Sequence, residues 1–135
     1  MLRELTSAMM EGNPDSPLIT GLRLVSGALV AVFGAGMKKI TTGFVTAAIR
    51  GTGIYVEVAA ERTYFCTCYG RVELANLAGD SVKTVDTRDH SAHHIIGGAP
   101  RGGAIVSAPM VRHKNAELAL LERLAGRKAV LPSRW

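Results

Sequence analysis

The sequence predicts a mainly β chain, an antiparallel meander or sandwich-like domain with one C-terminal α-helix. Short apolar runs are separated by turn residues at intervals of about 8–12 residues, the spacing of consecutive short strands. The 15 glycines fall largely between those runs, where tight turns use them. Clear helical spacing is confined to one stretch near the end.

The elements follow in order. Residues 1–17 read as an N-terminal arm or short helix that stops at Gly12-Asn13-Pro14-Asp15-Ser16-Pro17. Leu18–Val25 and Ala28–Phe33 read as two strands joined at Ser26-Gly27, a two-residue hairpin signal, and Gly34-Ala35-Gly36 closes the pair. Met37–Ile49 is rich in β-branched residues and threonine, which suits a pleated surface. Arg50-Gly51-Thr52-Gly53 reads as a structural turn: its glycines permit a corner and Arg50 can bond free carbonyls there. Beyond it, Ile54, Val56 and Val58 alternate with Tyr55 and Glu57 on the opposite face.

Glu61-Arg62 turns the chain into the strand Thr63–Tyr69, Gly70 punctuates, and Arg71–Leu74 alternates again. Ser81–Thr87 is a further alternating strand, whereas Arg88 to Gly103 reads as an irregular excursion rich in His, Gly and Pro. Ile105-Val106 adds a short strand that Pro109 stops. The helix starts near Asn115 as N-cap, carries Leu118, Leu121, Leu124 and Ala125 at helical spacing, and ends at Gly126. The organisation expected is an arm over 1–17, a β domain over 18–110, and a helix with its tail over 111–135.

Composition narrows the function. At 135 residues, 47% apolar and 20% charged, the chain can bury one core without disulfides or metal. A net charge of +5 favours acidic partners. Yet no block of five basic residues occurs and aromatics are only 5%, which argues against nucleic acid. Leu18–Val32 is interrupted by Thr20, Gly21, Arg23 and Ser26, short of the roughly 20 apolar residues of a membrane span. The first residues show no apolar core of a signal peptide. Peripheral association with a membrane stays open, as does the cytoplasm. No Gly-x-Ser-x-Gly or phosphate loop is present, so the expectation is a non-catalytic protein. An Asp89–His90–Cys66 set is the one conceivable nucleophilic arrangement.

The most distinctive segment is Tyr64-Phe65-Cys66-Thr67-Cys68-Tyr69. Side chains two apart on a strand share a face. Their Cα atoms stand about 6.5–7 Å apart, at or beyond the reach of a relaxed disulfide. Three readings stay open: buried small hydrophobes, soft metal ligands, or an intermolecular thiol contact. For the second, the available nitrogen donors are His90, His93, His94 and His113, with Met110 as a softer one. Cys66, Cys68, His90 and His113 would form a Cys₂His₂ set suited to zinc, or to an iron, copper or haem-type centre if left open.

One resemblance joins several of these segments. Thr46 to Glu57, with Arg50-Gly51-Thr52-Gly53 at its centre, followed by Gly70-Arg71-Val72-Glu73-Leu74, resembles the FecR domain, which carries T-x-x-A-x-I-x-x-R-G-T-x-F-x-V and then G-x-V-x-V. Glu61–Gly70 and the helix from His113-Lys114-Asn115-Ala116-Glu117-Leu118 to Arg127 look like a stand-alone bacterial branch of that family, over roughly residues 21–128. Two departures stand out: little precedes Leu18, and the branch's T-R-H-H-D-x-P stretch is replaced by Thr87–His94. The resemblance implies a β-rich, periplasmic or membrane-associated signalling module that acts through protein contacts. A short N-terminal side would leave an open sheet edge for self-assembly or docking.

Overall fold

The computed structural model describes residues 1–15, 19–97 and 103–128. Eight strands and one helix follow in order: β1 (Ser7–Gly12), β2 (Ile19–Val32), β3 (Met37–Thr41), β4 (Val45–Val58), β5 (Arg62–Asn76), β6 (Val82–Thr87), β7 (Ser91–Ile96), β8 (Ile105–Ala108) and α1 (Asn115–Leu124). The mainly β class with a C-terminal helix is therefore as the sequence predicts. The strands form one sheet in the order β1-β2-β3-β4-β5-β7-β8, with β6 also on β5 and β2 also on β4. All pairs are antiparallel except the three-residue contact of β2 with β3.

The long strands β2, β4 and β5 each serve two halves of this sheet. The first half of β4 pairs with β3 and the second half of β5; its second half pairs with β2 and the first half of β5. Strand side chains alternate strictly, so a straight strand could not keep its apolar residues inside through such a change of partners. Each of the three strands solves this with a glycine at positive φ: Gly27 at 83°, Gly51 at 57° and Gly70 at 93°. Across Gly27 the inward set changes from Leu22 and Leu24 to Leu29 and Ala31. Across Gly51 it changes from Val45, Ala47 and Ile49 to Ile54 and Val56, where the β4–β5 register also shifts.

One core results, closed by Phe65, Val72, Leu74, Val85 and Ile95. The opposite face of the second half carries a separate buried cluster: Ala28, Val30, Tyr55, Tyr64, Cys66, Cys68, Tyr69 and Ala92. Val30, Tyr55, Cys66 and Ala92 lie side by side across β2, β4, β5 and β7. Helix α1 covers this row with Leu118 and Leu121. Apolar residues on both faces of one strand are what such double coverage requires.

The helix keeps its expected C-terminal signal. Gly126 at φ 73° and Arg127 donate to the carbonyls of Arg123 and Glu122 at 3.0 and 2.8 Å, a Schellman closure. Its N-cap is Lys114 rather than Asn115, and the Lys114 amide donates to Glu117 at 2.9 Å.

Several local expectations are corrected. Residues 7–12, read as arm or short helix, form strand β1 along the edge of β2. The N-terminal side of β2 is thus covered, and among the described residues β1 is the edge of the sheet there. Ser26-Gly27 is no hairpin turn but the change of face within a single strand, since Gly27 packs so close to Thr6 that a Cβ would collide with it. Arg50-Gly51-Thr52-Gly53 is likewise a bulge within β4, not a corner. There the buried Thr52 hydroxyl donates to the carbonyls of Arg50 and Arg71 at 2.8 and 3.1 Å, the task expected of the Arg50 side chain. The excursion after Arg88 contains β7, while its residues 98–102, like the tail from 129 onward, lie outside the described residues.

At Gly70 an added Cβ would strike the Gly51 carbonyl oxygen and come within 2.9 Å of Thr52 Cα, at a backbone angle that L-residues rarely adopt. We predict that Gly70→Ala lowers unfolding free energy by about 2–4 kcal/mol in a urea titration. Gly43→Ala, with open space and ordinary backbone, should stay within about 0.5 kcal/mol. Equal losses at the two positions would refute the role given to the bulge.

Candidate metal centre

The four donors named from sequence meet under the start of α1. One ligand atom each from Cys66, Cys68, His90 and His113 lies within 4.8 Å of all the others. Cys66 and Cys68 come from β5, His90 from the β6–β7 turn, and His113 from the connection between β8 and α1. Both cysteines are free thiols, fully buried. Cys68 falls at the register shift: Tyr69 pairs with Gly53 and Thr67 with Ile54, so Cys68 has no ladder partner on β4. The shift turns the two sulfurs toward each other, 4.0 Å apart.

The remaining contacts are Cys66 Sγ to His90 Nδ1 at 3.5 Å, Cys68 Sγ to His113 Nε2 at 3.4 Å, and His113 Nε2 to His90 Nδ1 at 3.3 Å. A tetrahedral ion with metal–sulfur bonds of about 2.3 Å and metal–nitrogen bonds of about 2.05 Å needs edges of about 3.8, 3.6 and 3.3 Å for S–S, S–N and N–N. These four of the six edges match to about 0.2 Å, and the other two, Cys66 to His113 and Cys68 to His90, lie within 4.8 Å. A single ion fits. A two-iron cluster does not, because it would part the thiolate pair from the imidazole pair.

Each imidazole is fixed by its other nitrogen. His113 Nδ1 donates to the Val111 carbonyl at 2.7 Å, and His90 Nε2 meets Asn115 Oδ1 at 2.5 Å. With the other nitrogen so engaged, His90 Nδ1 and His113 Nε2 are the ring atoms that face the two sulfurs, the arrangement that orients metal-bound histidines. The His113 ring also stacks on Tyr55, with centroids 4.6 Å apart and planes at 16°.

The two connections that bring the histidines are held under strain. His90 and Arg112, beside His113, are two of the three non-glycine residues at positive φ among those described, at 50° and 60°. Such angles cost about 1–3 kcal/mol each and persist only where the surroundings impose them. For His90 the constraint is its amide, which donates to the Cys68 carbonyl at 2.9 Å. For the connection to α1 it is Tyr64, whose hydroxyl donates to the Pro109 carbonyl at 2.9 Å and accepts from the Val111 amide at 3.0 Å. Arg112 adds an ion pair with Glu57.

The other end of α1 has its own polar anchor. Glu122, 3% exposed, accepts from the Tyr69 hydroxyl and, at 2.6 Å, from Arg127 Nε. Sequence reasoning passed over these anchors. It also took Asn115 for a cap, although the residue's place beside His90 gives its side chain a different role. His93 and His94 do not join the cluster: His93 is buried on the core side of β7, paired with Phe65, and His94 meets the Tyr64 ring edge-on at 5.4 Å.

The thiols do not ionise alike. The Cys68 S–H lies against Cys66 and, with His113 and His90, holds the Cys66 thiol well below its ordinary range despite burial. Burial, then the neighbouring Cys66 charge, pushes Cys68 far up. One negative charge is thus shared by two sulfurs, and a divalent cation is what lets both ionise together.

Compared with protein-family models and with curated proteins, the chain matches none. No helix among the described residues is long and apolar enough to cross a membrane.

Because the first thiolate sits on Cys66, the metal-free reduced protein should show thiolate ultraviolet absorbance at pH 7, where a free thiol of pKa about 8.5 is mostly protonated. Cys66→Ser should abolish it, and acid should remove it as Cys66 takes up its proton. Absorbance that rises only above pH 8 would contradict the asymmetry.

Proposed function

We propose that the protein is a metal-binding β module whose closed Cys₂His₂ centre holds one zinc ion and fastens α1 to the sheet. The convergence of two sulfurs and two nitrogens, with four of their six spacings at the lengths a tetrahedral ion requires, carries this reading. Four protein donors leave no open position for substrate, the pattern of structural rather than catalytic zinc. Thiolate with imidazole suits zinc over calcium or magnesium, which take oxygen ligands. A mononuclear iron in the same cage is the competing occupant. The ligands come from three separate segments, so metal affinity and the docking of α1 are one equilibrium.

Elemental analysis of protein purified without a histidine tag should give about one zinc per chain, and cobalt substitution should give the intense visible bands of a tetrahedral thiolate site. Cys66→Ser and His113→Ala should lose the metal. Asn115→Ala should weaken it about 10–100-fold, since it removes the partner of His90 without touching a ligand. Metal content near zero in the wild type, with no uptake of cobalt, ends this reading.

We infer a second role in protein contacts, in keeping with the FecR-like motifs. It is supported by β1, which among the described residues pairs with β2 alone and carries Met9 and Met10 at 54% and 73% exposure. An edge of this kind adds strands from another chain. Light scattering should show concentration-dependent association that Met10→Lys suppresses; a strict monomer at all concentrations would exclude self-assembly.

A further inference from the structure

We propose that the zinc centre is an oxidant-released clamp: hydrogen peroxide converts Cys66 and Cys68 to a mutual disulfide and expels the metal. This rests on the zinc reading and adds a regulation to it. An ordinary strand holds i and i+2 sulfurs too far apart to bond. Here the register shift at Cys68 brings them to 4.0 Å, with neither engaged elsewhere in a disulfide. Closing to a bond length of about 2.05 Å takes a movement of about 2 Å, and Cys68, unpaired in the β4–β5 ladder and held on the backbone by the His90 amide, has fewer strand bonds to disturb than Cys66.

His90 is the ligand only half buried, and His113 and Tyr55 line an open cleft of about 820 Å³ with Arg3, Glu57 and Arg112. Neither sulfur is itself exposed, so peroxide must enter past the His90 ring or past the His113 ring that borders the cleft. The chemistry balances in two steps. The Cys66 thiolate attacks one peroxide oxygen, the O–O bond breaks, and with one proton it yields the sulfenic acid and water. The Cys68 thiolate then displaces that hydroxyl, forms the S–S bond and, with a second proton, releases a second water. Two thiolates lose two electrons, peroxide gains two, and zinc leaves with only its imidazoles to hold it.

With the sulfurs gone as ligands, His90 and His113 lose the ion that draws them together. The turn at His90 is then left with its amide on the Cys68 carbonyl and its ring on Asn115, and the connection to α1 with Tyr64 and the Arg112–Glu57 and Arg3–Glu117 ion pairs, so the N-terminal end of α1 loosens over Tyr55 and Cys66. The Glu122 anchor keeps the other end in place. The output is a hinged helix and a bared apolar row.

The experiment is peroxide titration of the zinc-loaded full chain, with released zinc read by a chromogenic chelator and the protein by intact mass. About one zinc per chain should appear together with a mass about 2 Da below that of the reduced metal-free chain, both reversed by dithiothreitol and added zinc. Cys68→Ser should stop at a sulfenic acid on Cys66 that dimedone traps. Retained zinc with intact thiols, gain of oxygen atoms without a disulfide, or disulfide-linked dimers would each overturn the proposal. If the chain takes up no zinc at all, the zinc reading fails on its own. Peroxide treatment of the metal-free reduced chain then decides whether Cys66 and Cys68 can join.

Discussion

Strict alternation of side chains along a strand is the constraint on which the structure depends. β2, β4 and β5 each run from one half of the sheet into the other, and each must face the same core on both sides of the crossing. A change of face within a continuous strand requires one residue in a conformation that L-residues avoid, and Gly27, Gly51 and Gly70 supply it. Two of the three act together: a Cβ on Gly70 would strike the carbonyl of Gly51, so the bulges of β4 and β5 pack on one another, whereas Gly27 packs on Thr6 and pairs with Val58.

The candidate metal centre grows out of that crossing. On β5 the residues before Gly70 present Phe65 to the core and Tyr64, Cys66 and Cys68 to the outer face. The same irregularity that changes the face takes Cys68 out of the ladder and turns its sulfur toward Cys66. An outer face so apolar needs a cover, which α1 provides through Leu118 and Leu121. The cover is held at both ends by polar groups: the Cys₂His₂ cluster at the start, and Glu122 between Tyr69 and Arg127 at the finish. Buried polar groups of this kind fix one arrangement of helix on sheet, because any other leaves them unsatisfied.

Much of this was legible in the sequence, and for identifiable reasons. Alternation through Ile54–Val58 and Arg71–Leu74 is a local property, so the strands and their inward faces could be read directly. The i, i+2 rule put Cys66 and Cys68 on one face, and Gly126 marked the end of the helix. Errors fell where the local signal has two meanings. Ser26-Gly27 and Arg50-Gly51-Thr52-Gly53 have the composition of turns, and glycine at positive φ serves a hairpin and a bulge equally well. The strand Ser91–Ile96 was hidden because Ala92-His93-His94 lacks apolar contrast; pairing with β5 and β8, not propensity, makes it a strand.

The sequence by itself determined the mainly β class, the C-terminal helix, and a short set of sulfur and nitrogen donors that could meet. These follow from periodicity and spacing, which act over a few residues. Only the tertiary structure decided that Cys66, Cys68, His90 and His113 bring their ligand atoms within 4.8 Å of one another, that Asn115 lies beside His90 and that Tyr64 pins the connection carrying His113. Such convergence joins segments whose donors stand 22 to 47 residues apart. It is fixed by strand register and by which face each bulge leaves outward, quantities that no local stretch of sequence contains.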